Sequence, residues 1–164
     1  MKQKNEKYKE ALEILKSPGY GGDKMNKVFE LKLLPLKVWD ELELQLSEKA
    51  IEEAKREGYK RDFDFLERAI YAKRHMDREE YDKNFDEIFD GLMSVMSPWK
   101  DKLTILKDAL HPNSDISIYA LWRDAERFAV EEAKKGSKED FWSLFKKRKE
   151  WQRNRLIEIC ENET

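Results

Sequence analysis

The sequence predicts an all-α fold, a single-domain bundle of about six to seven amphipathic helices over residues 1–164. Only four Pro and six Gly interrupt the chain, and the runs between them are rich in Glu, Lys, Leu and Ala, which favour helices. Nearly every run longer than about ten residues repeats its apolar side chains at three- and four-residue spacing. Eight Phe, six Tyr and five Trp provide enough large side chains to fill a core, although 41% of the residues are charged.

The first predicted helix covers residues 4–16, where four apolar side chains share one face and a Ser-Pro-Gly sequence follows. A Gly-rich run at residues 19–24 comes next. Because this run follows a helix and lacks the glycine-lysine-hydroxyl order of a phosphate-binding loop, it is interpreted as a flexible turn. Residues 28–34 are expected to include a short extended segment, since Phe29, Leu31 and Leu33 alternate with polar residues.

The middle of the chain is predicted to contain four helices. Pro35 precedes the first of them, which covers residues 36–57 and stops at a glycine. A helix over residues 62–75 follows, with its apolar side chains again on a shared face. Residues 79–96 show the cleanest amphipathic pattern, and a shorter helix over residues 97–110 completes this part of the chain.

Two long helices are predicted near the end of the chain, the first over residues 115–135 and the second from Ser137 to about Cys160. Gly136 separates them, and Ser137 stands three residues before Asp140, which is typical of a capped helix start. A turn as short as this one is expected to fold the two helices antiparallel.

Polar residues on the apolar faces of these two helices predict an ion pair between them. Arg148 and Arg155 fall within the apolar arc of the last helix when residues are placed about 100° apart. Glu126 falls among apolar residues of the preceding helix. Because a buried charge requires a partner, Glu126 is predicted to pair with Arg148 or Arg155. The alternative is that these arginines line an exposed groove for an acidic partner.

The charges are unevenly distributed along the chain, whose net charge is −2. Residues 134–155 contain nine Lys or Arg against three Asp or Glu, and residues 77–90 contain seven acidic residues against two basic ones. Either stretch is a hypothetical binding surface for a macromolecule of opposite charge. The predicted partner-binding residues belong to the basic stretch: Lys146, Lys147, Arg148, Lys149, Trp151, Arg153 and Arg155.

Neither a cofactor fingerprint nor a metal-ligand spacing nor a nucleophile constellation is recognisable in the sequence, so no catalytic residue, metal ligand or cofactor is predicted. Enzymatic activity is the less favoured class and stays open. The preferred interpretation is a non-enzymatic helical interaction protein, such as an adaptor, a small subunit or an inhibitor, that presents charged and aromatic faces to a protein partner.

The alternative function is nucleic-acid binding, for which the chain offers two regions. Lysines and arginines of the C-terminal basic helix would neutralise phosphates, and its Trp side chains would stack on bases. Residues 28–75, with an alternating segment followed by two helices, resemble the outline of the ribbon-helix-helix proteins. That resemblance implies a strand that enters the major groove of DNA.

The charged N-terminus and the lack of a long apolar run predict a cytoplasmic protein with no membrane partner. A single cysteine, Cys160, fits a reducing compartment. The oligomeric state is left open.

Overall fold

A computed structural model describes residues 4–56, 58, 63–77, 79–81, 83, 84, 86, 87 and 117–163. Over these residues the chain consists of helices joined by turns, without a β-strand, which confirms the predicted all-α fold. Six helices lie wholly within the described ranges: α1 (Lys4–Lys16), α2 (Gly21–Glu30), α3 (Leu36–Arg56), α4 (Phe63–His75), α5 (Ser117–Lys134) and α6 (Phe141–Glu163). None of these described helices is long and apolar enough to cross a membrane.

The chain divides into two compact units, of which the first contains residues Met1–Leu42 and Leu121–Thr164. Within this unit α2 packs against both α1 and α6, and α1 also packs against α6. The side chains that form its buried core come from all of its helices: Tyr8, Ala11, Leu15, Met25, Val28, Val38, Trp39, Leu42, Ala125, Leu144, Phe145, Leu156 and Ile159. That a single domain covers the chain stays a prediction.

The second unit contains residues Glu43–Ala120 and has a buried apolar core of its own. Leu46 and Ala50 of α3 and Leu66 and Ile70 of α4 are all buried in it, and each pair shows the four-residue spacing expected for the inner face of a helix. At the surface, Lys55 Nζ lies 2.7 Å from a carboxylate oxygen of Glu67, and a second ion pair of the same length joins Arg74 to Glu48.

The extended segment predicted within residues 28–34 is wrong, because this part of the chain is the end of α2. The amide of Lys32 donates to the carbonyl of Phe29 (3.1 Å), and the amide of Leu33 donates to that of Val28 (3.3 Å). These two bonds define a Schellman motif, with Lys32 in the left-handed region at a φ of 53°. Leu33 and Val28 are both buried, and they occupy the two positions where apolar residues usually accompany this motif.

The Gly-rich run was also misinterpreted as a flexible turn, since Gly21 and Gly22 form the first turn of α2. Both positions favour a small residue because other side chains approach closely. A Cβ atom on Gly21 would lie 2.9 Å from a carboxylate oxygen of Glu150, and one on Gly22 would lie 2.6 Å from the Tyr20 ring. The run is therefore a tightly packed helix start.

The turn between α5 and α6 confirms the predicted stop at Gly136, which has a φ of 90°. The amides of Gly136 and Ser137 donate to the carbonyls of Ala133 and Glu132, forming a second Schellman motif. The helix start was predicted at Ser137, but Asp140 is the cap: its Oδ1 accepts from the amide of Ser143 at 2.7 Å. These backbone and side-chain bonds raise the stability of the charged form, so the pKa of Asp140 lies below its usual value.

Two predicted helices fall largely or fully outside the described residues. The helix over residues 97–110 lies entirely outside them. Of the helix over residues 79–96, the described residues up to 87 are helical, and Tyr81 is buried in the core of its unit.

Candidate interaction surface

A buried ion cluster joins α5 to α6 in the first unit and consists of Asp124, Arg127, Arg148 and Gln152. The Asp124 carboxylate is fully buried and accepts from Arg148 Nε (2.8 Å) and Arg148 Nη2 (3.1 Å). Arg127 Nη2 donates to the same carboxylate at 3.2 Å, and Gln152 Nε2 donates at 3.0 Å. Gln152 also donates to the carbonyl of Leu121 at 2.9 Å. The two helices are therefore held antiparallel, as their short connection predicts.

The charge state of Asp124 follows from two opposing effects. Burial by itself raises the pKa of this carboxyl group, because it disfavours the charged form. The attraction and hydrogen bonds of Arg148, followed by the attraction of Arg127 and the bond from Gln152, outweigh burial and leave the pKa below its usual value. Asp124 is consequently ionised at neutral pH.

The sequence prediction named the wrong acid for this cluster. Asp124, two residues before Glu126, supplies the carboxylate that contacts Arg148, whereas Arg155 pairs with Glu158 on its own helix at 2.8 Å. The predicted apolar neighbours of Glu126 were Tyr119, Trp122, Ala129 and Ala133, and of these Trp122 is 46% exposed. The buried face of α5 instead runs through Ala120, Leu121, Ala125 and Ala129, and Asp124 lies on that face.

Arg148 is thereby a packing residue of the first unit. Its guanidinium carbon lies 5.1 Å from the ring centroid of Phe128 and 4.7 Å from that of Trp151. Cation–π contacts with both rings, together with the ion pair to Asp124, occupy the guanidinium inside the protein. Arg148 is therefore not part of an exposed surface, contrary to its predicted role in partner binding.

Arg153 is likewise bound within the first unit. It pairs with Glu150, and its Nη1 donates to the carbonyl oxygens of Ser17 and Gly19 at 3.5 and 3.1 Å. Glu150 in turn accepts from the amide of Gly21 at 3.1 Å, which places a negative charge at the N-terminus of α2. Both side chains thus fasten the α1–α2 turn to α6.

The remaining predicted residues differ sharply in their exposure. Lys146 and Lys147 are exposed, Trp151 and Arg155 are half-buried, and Lys149 is buried. Burial lowers the pKa of Lys149 to about 8, while the negative charge of Asp124 acts in the opposite direction. The basic stretch is thus not one continuous exposed surface.

A cluster of four aromatic side chains, three of them exposed, lies where the beginning of α6 meets α5 and was not predicted from the sequence. We call it the aromatic patch, and it consists of Trp122, Phe141, Trp142 and Phe145. Trp142 is 64% exposed, and its ring centroid lies 5.5 Å from that of Phe141 and 5.7 Å from that of Phe145. Trp122 reaches the buried Phe145 ring from α5, with centroids 6.4 Å apart.

The start of α6 positions two of these exposed rings. Because Asp140 caps α6, Phe141 and Trp142 occupy the first turn of this helix, where both are exposed. Leu144 and Phe145 one turn later supply the buried contacts to Ala125 and Ala129. The sequence carried no clear signal for this exposure, because Leu144 and Phe145 are an equally apolar adjacent pair one turn later and are buried.

Comparisons of this chain with known protein families, with curated proteins and with solved structures find no match.

Proposed function

We propose that this protein is a non-enzymatic interaction protein that binds a protein partner through the aromatic patch. The observation that supports the proposal is the exposure of three large aromatic side chains at one place: Trp142, Trp122 and Phe141 are 64, 46 and 37% exposed. Trp is among the residues that most often dominate binding energy at protein interfaces. Leaving an exposed Trp unburied forgoes about 2–3 kcal/mol of hydrophobic free energy, which a partner recovers on binding.

The support beneath the patch suits this role. Phe145 is buried against Ala125 and Ala129, and the ion cluster fixes α5 to α6 one to two turns further along. The exposed rings are thus presented by two helices in a fixed relation. A preformed surface pays less conformational entropy on binding than a flexible one.

The ribbon-helix-helix alternative loses its support, because the strand that it requires is the C-terminal end of α2. The basic helix also offers less to phosphates than its sequence indicates. Arg148, Arg153 and Arg155 all contact carboxylates of this chain. These observations favour a protein partner over a nucleic acid.

Site-specific photo-cross-linking in cells that naturally contain the protein tests the proposal. A photoreactive phenylalanine analogue replaces Phe141 in one variant and Tyr71 in the control. Tyr71 belongs to the second unit and is 64% exposed, as Trp142 is. The expected result is a cross-linked protein specific to position 141 that disappears when Trp122 and Trp142 are both changed to Ala. Identical products at both positions, or persistence in the double variant, would refute the proposal.

A further inference from the structure

The proposed function rests on the aromatic patch, and the residues that adjoin it on α6 indicate the chemistry of the partner. Phe145 and Lys146 lie three and four residues after Trp142, and Lys149 lies four residues after Phe145. Such residues share one face of a helix. Two aromatic rings and two lysines thus form a single stripe, with the lysines on its C-terminal side.

Lys149 lies directly beside the patch. Its Nζ is 5.8 Å from the ring centroid of Phe145, whose ring contacts that of Trp142. Among the described residues, Lys149 and Lys146 make no direct ion pair or hydrogen bond. The charge of Asp124 acts on Lys149, but this carboxylate already accepts from Arg148, Arg127 and Gln152, and the charge of Asp140 acts on Lys146.

The position of Lys149 carries an electrostatic cost in the isolated protein. The side chain is buried and has lost much of the water that would stabilise its charge. With a pKa of about 8, most of the amine is nevertheless protonated at pH 7. A carboxylate brought to this edge of the patch would find a cation that is already desolvated, which strengthens their attraction.

We propose that the partner is an acidic protein segment whose apolar side chain covers Trp142 and whose carboxylates pair with the exposed Lys146, in the field of the buried Lys149. The stripe also fixes the orientation of this segment. Its apolar side chain lies toward the start of α6, where Asp140 would repel a carboxylate, and its acidic residues lie toward Lys149. Charge pairing then selects the partner, and ring burial supplies most of the affinity.

A random peptide library panned against the purified full-length protein tests this inference. Peptides are retained when they bind the wild type and fail to bind the Trp142→Ala variant. The expected sequences combine an aromatic or aliphatic residue with nearby Asp or Glu. Each selected peptide is then resynthesised with Gln or Asn in place of its acidic residues.

Variants of the protein separate the role of the stripe from that of general positive charge. Lys146→Met together with Lys149→Met removes both charges and keeps the side-chain length. Lys147→Met is the matched control, because Lys147 is an exposed lysine that lies off the stripe. The double variant is expected to weaken binding of the acidic peptides at least about tenfold, and the control by less than about twofold. Circular dichroism checks that each variant is folded.

The outcomes distinguish this inference from the proposed function. If no peptide depends on Trp142, the proposed function fails together with the inference. If Trp142-dependent peptides lack acidic residues, or bind the double lysine variant as well as the wild type, the inference alone fails. A single-stranded oligonucleotide is tested as a competitor of the peptides. If it displaces them, and if its own binding weakens steeply with salt, the partner is a nucleic acid and the inference of an acidic protein segment fails.

Discussion

At the scale of single residues, Asp124 receives hydrogen bonds from three side chains while it is fully buried. Removing the carboxylate leaves Arg148 inside the protein without its counter-charge, and a buried charge without a partner is costly. We therefore expect Asp124→Ala to lower the free energy of unfolding by about 3–5 kcal/mol. Urea denaturation followed by circular dichroism measures this difference.

Glu126 provides the matched control for that measurement. It lies on the same helix but outside the buried face, and Glu126→Ala is expected to change the free energy of unfolding by less than about 1 kcal/mol. Equal effects of the two substitutions would show that the ion cluster does not hold α5 against α6.

Lys149 yields a prediction about pH, because its pKa is lowered to about 8 from 10.5. Below pH 8 both the folded and the unfolded chain are protonated at this site, so the folded protein bears the full cost of the buried charge. Between the folded-state and unfolded-state pKa values the unfolded chain binds the proton more tightly. The contribution of Lys149 to the free energy of unfolding therefore rises with pH in this range. Lys149→Met is thus expected to stabilise the protein at pH 7, by at most about 3 kcal/mol.

The comparison of the two proteins across pH is the decisive part of this experiment. The stability advantage of Lys149→Met is expected to shrink steadily between about pH 8 and 10.5, the lowered and the ordinary pKa of this lysine. Burial also raises the pKa of Cys160, to about 12, which lowers stability above pH 9, but this effect is common to both proteins. A constant difference between the two denaturation midpoints would contradict the lowered pKa of Lys149.

The single-residue errors of the sequence prediction have a simple geometric origin. An ion pair between α5 and the arginines of α6 was predictable, because Arg148 had to have a partner. The choice between Glu126 and Asp124 depends on the exact direction of the buried face. The predicted and the observed faces share Ala129, but the prediction included Trp122, which is exposed, and left out Leu121 and Ala125, which are buried.

At the scale of helices, α2 and α5 end in the same Schellman motif with different residues at the left-handed position. Gly136 has this role at the end of α5, and Lys32 has it at the end of α2. A side chain with a Cβ atom is strained there by about 1–2 kcal/mol, and glycine is not. Lys32→Gly is expected to raise the free energy of unfolding by about 0.5–1 kcal/mol after its greater freedom in the unfolded chain is subtracted.

Thermal denaturation of Lys32→Gly and Lys32→Ala measures this effect. Lys32 is exposed, so loss of its side chain removes little packing. The Ala variant keeps the Cβ atom and is expected to remain within about 0.5 kcal/mol of the wild type. Destabilisation by glycine would contradict the assigned end of α2.

Most helix positions were predictable from periodicity and from the residues that stop helices. The predicted helices over residues 4–16 and 36–57 agree with α1 and α3 to within one residue. The error at residues 28–34 arose because five alternating residues fit both a strand and the irregular end of a helix. Because position 32 is a lysine and not a glycine, the sequence offered no sign of the left-handed turn that returns Leu33 to the core.

At the scale of the whole molecule, counting charges along the sequence overstated the basic surface. Residues 134–155 contain six more basic than acidic residues, nine against three. Several of these basic side chains form ion pairs with carboxylates of the same chain, among them Arg148, Arg153 and Lys135. Which charges remain exposed depends on tertiary contacts, and these do not follow from a count.

The exposed aromatic residues show the same dependence on tertiary structure. Composition revealed five Trp, and the preferred interpretation assigned aromatic faces to a partner without locating them. Trp39 is buried in the core, while Trp142 is exposed at the start of α6. The aromatic patch arises only when α5 and α6 place Trp122 beside Phe145.

The binding affinity of the cross-linked partner, measured by isothermal titration calorimetry with purified proteins, tests the central claim most directly. Trp142→Ala is compared with Tyr71→Ala, which removes an equally exposed aromatic side chain from the second unit. The account predicts that Trp142→Ala weakens binding at least about tenfold, as expected for an interface hot spot, and that Tyr71→Ala leaves the affinity within about twofold of the wild type. An unchanged affinity in Trp142→Ala, or an equal loss in both variants, would contradict it.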